Sequence, residues 1–397
     1  MPDTYRPRFS RRTLKTLLVV LPGLILLLAS LGPAGTDIPI AEKWPDRELY
    51  WLEQPDSPYH EVRLIYATGL AIAPAQRLVQ QAMAAQLESR LTRHDWPATI
   101  SAQADHLQLR LSWPAAAGVP DLSPLLQLLT APEPIPETQL QRLQAQQYLA
   151  GQQPDQILLN RFLSQLQPPA SPANLADRWQ ALQAAVSGSP PRVLIGGPRA
   201  PDIAARTADS LPEGAPRPAT SIAPLQPVRQ LRLQLDDARH PSMRLLGGAA
   251  AGRDSPDYAN ELLAFTSLRL LLDAQPSMQY RLQWQALHQG GFRALVLPAT
   301  LQDPESLLRK AAAPVRRARE QLLLQYRALL DAPSGQLDEL VANVLYQRPQ
   351  QPLDAIIGAL EAADEDDIGA RMSHYLDPEP LIRIELNGTG LMESGEW

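Results

Sequence analysis

The strongest constraint on the fold is that this chain spells one order of elements twice. "RELYWLEQ" and "HEVRLIYATG" read as two strands, the second with Val62, Leu64 and Tyr66 at alternate positions. A helix is predicted over 75–93. In "ATISAQADHLQLRLSW", Leu107, Leu109, Leu111 and Trp113 face one way and Gln108, Arg110 and Ser112 the other, the pattern of a half-buried antiparallel strand. Helices follow at 122–131, 137–150, 154–167 and 173–187, with Pro136 and Pro154 at first-turn positions that tolerate proline. Then come a short strand, "PRVLIGG", and a helix, "PDIAARTADSLP".

After the proline-rich joint "EGAPRPATSIAPLQP" the order begins again. "VRQLRLQLDD" and "SMRLLGGAAAG" are strands, and "SPDYANELLAFTSLRLLLDA" is a long helix with a Ser-Pro-Asp start. A hairpin turns at His288-Gln-Gly-Gly291, helices are predicted at 304–331, 335–347, 352–362 and 365–376, and "EPLIRIELNG" closes as a strand. The halves also end alike, "WQALQAAVSGSPPRVLIGG" beside "IGARMSHYLDPEPLIRIELNG": helix, proline turn, strand into glycine. A repeat this long is a duplicated α+β domain, not a solenoid.

The 397 residues suffice for two domains that each bury a core. With aromatic residues at only 5%, those cores must be aliphatic. The net charge of −6 supplies no basic face for nucleic acid. Without cysteine there is no thiolate metal site, thiol nucleophile or disulfide.

The N-terminus reads as an export signal. Arg6, Arg8, Arg11, Arg12 and Lys15 precede the apolar run "LLVVLPGLILLLASL". The basic tail (1–16) is expected to stay in the cytoplasm and the rest of the chain to be exported. Segment 17–35 is then a retained signal anchor or a cleaved signal peptide. The run is short for a membrane span and contains Pro22-Gly23.

The order of elements, with "GGAAAGRDSPDYANELLAFTSLRLL" and "ADEDDIGARMSHYLDPEPLIRIELNG", resembles the M16 (insulinase, or pitrilysin) metallopeptidase family over about residues 45–388. The resemblance implies two tandem M16-like (LuxS/MPP-like) domains, 45–212 and 228–388, joined by the linker 213–227. Each would be an antiparallel-rich sheet with helices on one face. Active members carry H-x-x-E-H on the first helix, two histidines for zinc and a glutamate as base, with a later glutamate as third ligand. Here the overlay puts Arg77, Gln80 and Gln81 on that motif. Guanidinium stays protonated and a carboxamide takes no proton at neutral pH, so these residues offer neither the ligands nor the base that zinc hydrolysis needs. Between Thr138 and Pro154, where the third ligand is expected, there is no Asp or Glu. No metal or other cofactor is therefore expected. The two glutamines can also be read as an ordinary solvated edge. Relatives hold the substrate backbone with an Arg and a Tyr from the second half. Arg281 is the candidate for the first, while the Tyr position is Phe292 or lost.

The remaining constellations have plain readings. The six histidines are scattered, with no pair at i, i+4. His94 at a helix end suits a cap, and His60 at a strand start is expected to be exposed. "ADEDDIG" is the acidic pattern of a helix N-terminus. In "LLRKAAAPVRRARE" Pro314 is expected as a kink. No G-x-S-x-G elbow occurs, and "GGPRAP" and "LLGGAAAG" have neither P-loop nor Rossmann spacing.

The function expected is that of a non-catalytic M16-like pseudopeptidase in the bacterial periplasm, held at the inner membrane. It would serve as the inactive subunit beside a zinc-bearing M16 peptidase and bind peptide or unfolded protein. The alternatives are a stand-alone periplasmic polypeptide-binding or scaffold protein and, less favoured, an active peptidase.

Overall fold

The computed structural model describes residues 41–131, 137–166, 175–218, 231–275, 278–301, 308, 312–347, 354–376 and 382–388. The expected cytoplasmic tail and signal segment, and most of the expected linker, lie outside them. Among the described residues no helix is long and apolar enough to cross a membrane.

The first half holds β1 (Glu42–Lys43), β2 (Leu49–Glu53), β3 (Tyr59–Ala67), α1 (Pro74–Arg93), β4 (Ala98–Ala102) and β5 (His106–Pro114). It continues with α2 (Ser123–Thr130), α3 (Glu137–Ala150), α4 (Pro154–Leu166), α5 (Leu175–Ser187), β6 (Arg192–Gly197) and α6 (Ala200–Ser210). The second half holds β7 (Leu231–Asp236), β8 (Met243–Ala251), α7 (Tyr258–Asp273), β9 (Arg281–Ala286) and β10 (Gly290–Pro298). After it come α8 (Ala312–Asp331), α9 (Pro333–Tyr346), α10 (Ala355–Ala362), α11 (Glu365–Leu376) and β11 (Ile382–Asn387).

The fold is α+β, with two mixed sheets ordered β1-β2-β6-β3-β5-β4 and β7-β11-β8-β10-β9. Leaving out β1, the two orders match strand for strand. In each sheet the first strand of the half pairs in parallel with its last, β2 with β6 and β7 with β11, and all other pairings are antiparallel.

Each sheet buries one face against its own helices. Val62, Leu64 and Leu109 pack with Leu78 of α1, Leu125 of α2, Trp179 of α5 and Ile203 of α6. Leu295 and Leu297 pack with Leu263 of α7, Val315 of α8 and Met372 of α11. The other face is covered by a helix from the opposite half. Leu158 and Phe162 of α4 lie on Leu245, Phe292 and Ile384 of the second sheet. On the first sheet, α9 lies over β6 and β3. Helices on one face alone, the sequence expectation, therefore describe only what each half does for itself. From residue 41 onward the halves make one compact unit.

Two glycines permit these crossings. A Cβ on Gly196 of β6 would come within 2.5 Å of Leu337 on α9, and one on Gly247 of β8 within 2.3 Å of Phe162 on α4. The glycine-rich words are close-approach positions.

Two local expectations change. "ATISAQADHLQLRLSW" is a hairpin, β4 and β5, turned at Gln103, whose N–H donates to the His106 carbonyl at 2.9 Å. No Gly or Asn marks that turn. His60 is buried, 1% exposed, because it opens β3 opposite Trp113 and lies against Gly197. Its ring is 5.7 Å from that of Trp113. The expected kink at Pro314 falls at the edge of the described residues, which for α8 begin at Ala312.

Candidate functional site

Helix α1 begins at Pro74 and buries Leu78, Val79, Ala82, Met83 and Leu87. That stripe fixes where the motif positions point. Arg77 and Gln81, four apart, share an exposed face and line one cavity of about 810 Å³. Its opposite wall is α3, the turn after it, and the start of α4, through Gln144, Gln147, Gln152 and Asn160. The α3 stretch expected to hold a third ligand thus does face Arg77 and Gln81.

Gln80 turns the other way. It is buried, and its Nε2 donates to Thr68 Oγ1 at 2.8 Å and to the His106 carbonyl at 3.3 Å. It ties the helix to the ends of β3 and β5 and borders a separate cavity of about 180 Å³ with Arg178 and Arg217. The reading of both glutamines as a wet edge holds only for Gln81.

The donor set does not fit zinc. A guanidinium, two carboxamides and an α3 wall of glutamines supply neither anionic nor imidazole ligands. Among the described residues no three His, Asp or Glu side chains come together as a metal site.

Arg281 sits on the edge strand β9, and its Nη1 is 2.8 Å from Asp155 Oδ2 in the first turn of α4. Its charge is taken by a contact between the halves. Phe292 is in the core, its ring 5.9 Å from that of Phe162, and presents nothing to a substrate.

Sequence reasoning missed a second polar cluster, where the β4–β5 turn meets the C-terminal end of α9. Asp105 accepts from His106 Nδ1 at 2.7 Å and from the Tyr346 hydroxyl. Burial pushes the Asp105 carboxyl up, but those hydrogen bonds outweigh it and hold the group below the usual carboxylate range. Burial and the Asp105 charge push the Tyr346 phenol up. The His288 ring stacks on Tyr346 at 4.4 Å between centroids, and its Nδ1 lies 2.5 Å from Asp254. These groups come from both halves and pair with one another across the junction. The only cue in sequence was the hairpin at His288-Gln-Gly-Gly291 in the second half, since the β4–β5 turn carries no turn signal.

The acidic start "ADEDDIG" caps α11. Asp364 Oδ1 accepts from the backbone N–H of Asp366 at 2.8 Å and of Asp367 at 3.1 Å. His94 is the C-terminal cap residue of α1.

No family model matches the sequence, and no curated protein does. Solved structures do match. A peptidase M16 inactive domain from Pseudomonas fluorescens superposes with a TM-score of 0.61 at 17% identity, over 88% of this chain and 98% of that one. The fold is that of the M16 peptidases. A protease from Helicobacter pylori has a TM-score of 0.62 at 13% identity, over 88% of this chain and 100% of that one. The ferredoxin protease FusC, solved in complex with Arabidopsis ferredoxin, gives 0.57 at 13% identity, over 86% of this chain but 44% of FusC. The M16 fold in this chain is thus one two-sheet unit, matching the whole of some relatives and under half of another.

Proposed function

We propose that this protein is a non-catalytic M16 family member that binds polypeptide and serves as the inactive subunit beside a zinc-bearing M16 peptidase. One observation carries the reading. The face of α1 that bears Arg77 and Gln81 opens onto a large cavity, while the residue at the position of the general base, Gln80, is buried as a structural tie. The concave site remains without the chemistry to activate water. The match to a solved domain described as inactive M16 supports this, as does the complex of FusC with a protein ligand.

Among the described residues the edge strands β4 and β9 each pair on one side only, an arrangement that suits strand addition by an extended peptide. The basic residues before the apolar run 17–35 support a periplasmic body held at the inner membrane.

The test is affinity purification of the full-length protein from detergent-solubilised membranes. A near-stoichiometric protein bearing H-x-x-E-H is the expected result. Recovery of the bait alone, still able to bind unstructured peptide, overturns the subunit role in favour of a stand-alone binding protein. Zinc-dependent hydrolysis by the isolated chain overturns the non-catalytic reading.

A further inference from the structure

The cavity beside Arg77 has walls of one chemical kind. Among the described residues, six side-chain amides line it, those of Gln81, Gln144, Gln147, Gln152, Gln156 and Asn160, and no carboxylate does. Two contacts orient this wall: Gln147 Nε2 donates to the Pro74 carbonyl at 3.3 Å, and Gln156 Nε2 to Asn160 Oδ1 at 2.7 Å. Ile72, Leu78 and Leu163 form the apolar part. Among the described residues the single charge there is Arg77, and no acid among them pairs with it, whereas Arg63, Arg281, Arg293 and Arg371 all hold carboxylate partners.

We propose that this cavity binds a carboxylate-bearing polypeptide segment, with the carboxylate on Arg77 and the flanking peptide groups on the amide wall. This rests on the polypeptide-binding reading above and names its ligand. A carboxamide offers a donor and an acceptor together, the pair that every peptide unit presents, so such a wall satisfies a peptide backbone without charge. A volume of about 810 Å³ accommodates a few residues. A divalent cation finds no anionic donor here, and a polyphosphate would meet one positive charge only. One carboxylate matches one guanidinium, which can hold it through two parallel hydrogen bonds. The carboxylate can come from a chain terminus or from an Asp or Glu side chain.

The experiment is isothermal titration calorimetry of the full-length protein in detergent with three peptides. These are acetyl-Ala-Leu-Gln-Ala-Leu-Ala as free acid, the same peptide as C-terminal amide, and the amide with its Gln replaced by Asp. Arg77 is exposed on a helix, so Arg77→Gln leaves the fold intact. The free acid should bind roughly tenfold to a hundredfold more tightly than the plain amide. Arg77→Gln should bring the acid down to the amide's affinity. Tight binding of the Asp-bearing amide assigns the carboxylate to a side chain as well, and weak binding restricts it to the terminus. Equal affinity of all three, or a gap that survives Arg77→Gln, overturns the carboxylate site while polypeptide binding itself stands. No binding by any of the three at millimolar peptide removes the cavity as a site and leaves the subunit role to co-purification.

Discussion

Arg63, fully buried at the middle of the first sheet, pairs with Asp338 on a helix of the second half at 2.5 Å. The same guanidinium meets Glu61 at 2.7 Å and donates to the Ser334 carbonyl at 2.8 Å. One strand residue therefore holds α9 across the sheet, and the two partners contribute unequally. Among the described residues, replacing Arg63 by Met leaves buried Glu61 with Arg110 alone, at 2.9 Å, to balance it. The expected loss is about 3–5 kcal/mol of unfolding free energy. Asp338 is 56% exposed, so Asp338→Ala should lose less than about 1 kcal/mol. Urea unfolding of both variants checks this, and comparable losses would refute the assignment of the buried charge as the dominant partner.

The crossing of α4 over β8 depends on the missing side chain at Gly247. An alanine Cβ there would press on the ring of Phe162, itself fully buried and packed against Phe292. Gly247→Ala should destabilise by about 1–3 kcal/mol through overpacking. Combining it with Phe162→Leu should recover part of that loss, because the smaller side chain vacates the space. A double-mutant cycle measures the coupling, and strictly additive losses would sink this account.

These glycines show where sequence reading stops. The duplicated order was legible because it rests on local periodicity: the alternation of Leu107, Leu109 and Leu111, the proline at the head of α4, and the Ser-Pro-Asp before α7. The α4 and α9 crossings were not legible, because each joins segments far apart in the chain, and a glycine word does not say which helix will approach it. His60 was misplaced because its burial comes from Trp113 and Gly197, neither of them a neighbour in sequence. At the candidate site, that Arg77, Gln80 and Gln81 are not zinc-ligating residue types could be read from the sequence alone. That Gln80 and Gln81 face different cavities could not, since neighbouring helix positions differ by about 100° and only packing decides which is inside.

A carboxylate at position 80, where the resemblance to M16 peptidases puts the general base, should harm the fold. Gln80→Glu places an acid where the amide donated to Thr68 Oγ1 and the His106 carbonyl. An ionised Glu can donate to neither, and burial raises its folded-state pKa above the unfolded value of roughly 4.3. Below that pH both states are protonated and the charge penalty is missing. As pH rises the unfolded chain ionises first, so stability is lost toward neutral pH. The variant should therefore fall further below the parent at pH 7.5 than at pH 4.5, in melting temperature or urea midpoint. A pH-independent difference would show that Gln80 is not the buried tie described.

His60 gives the opposite pH signature. Burial, with a smaller contribution from the charge of Arg199, holds its imidazole below the ordinary value of 6.5. Above that pH both folded and unfolded chains carry a neutral ring. As pH falls through 6.5 the unfolded chain takes up the proton first, so stability declines until the folded-state pKa is reached. In His60→Gln this contribution disappears. The variant starts lower, because the ring packed on Trp113 is lost, but its stability should change less between pH 7.5 and pH 5 than that of the parent. Thermal unfolding at those two pH values decides the matter: parallel changes in both proteins mean that the acid sensitivity arises elsewhere, with a smaller parental change pointing to a solvated ring at His60.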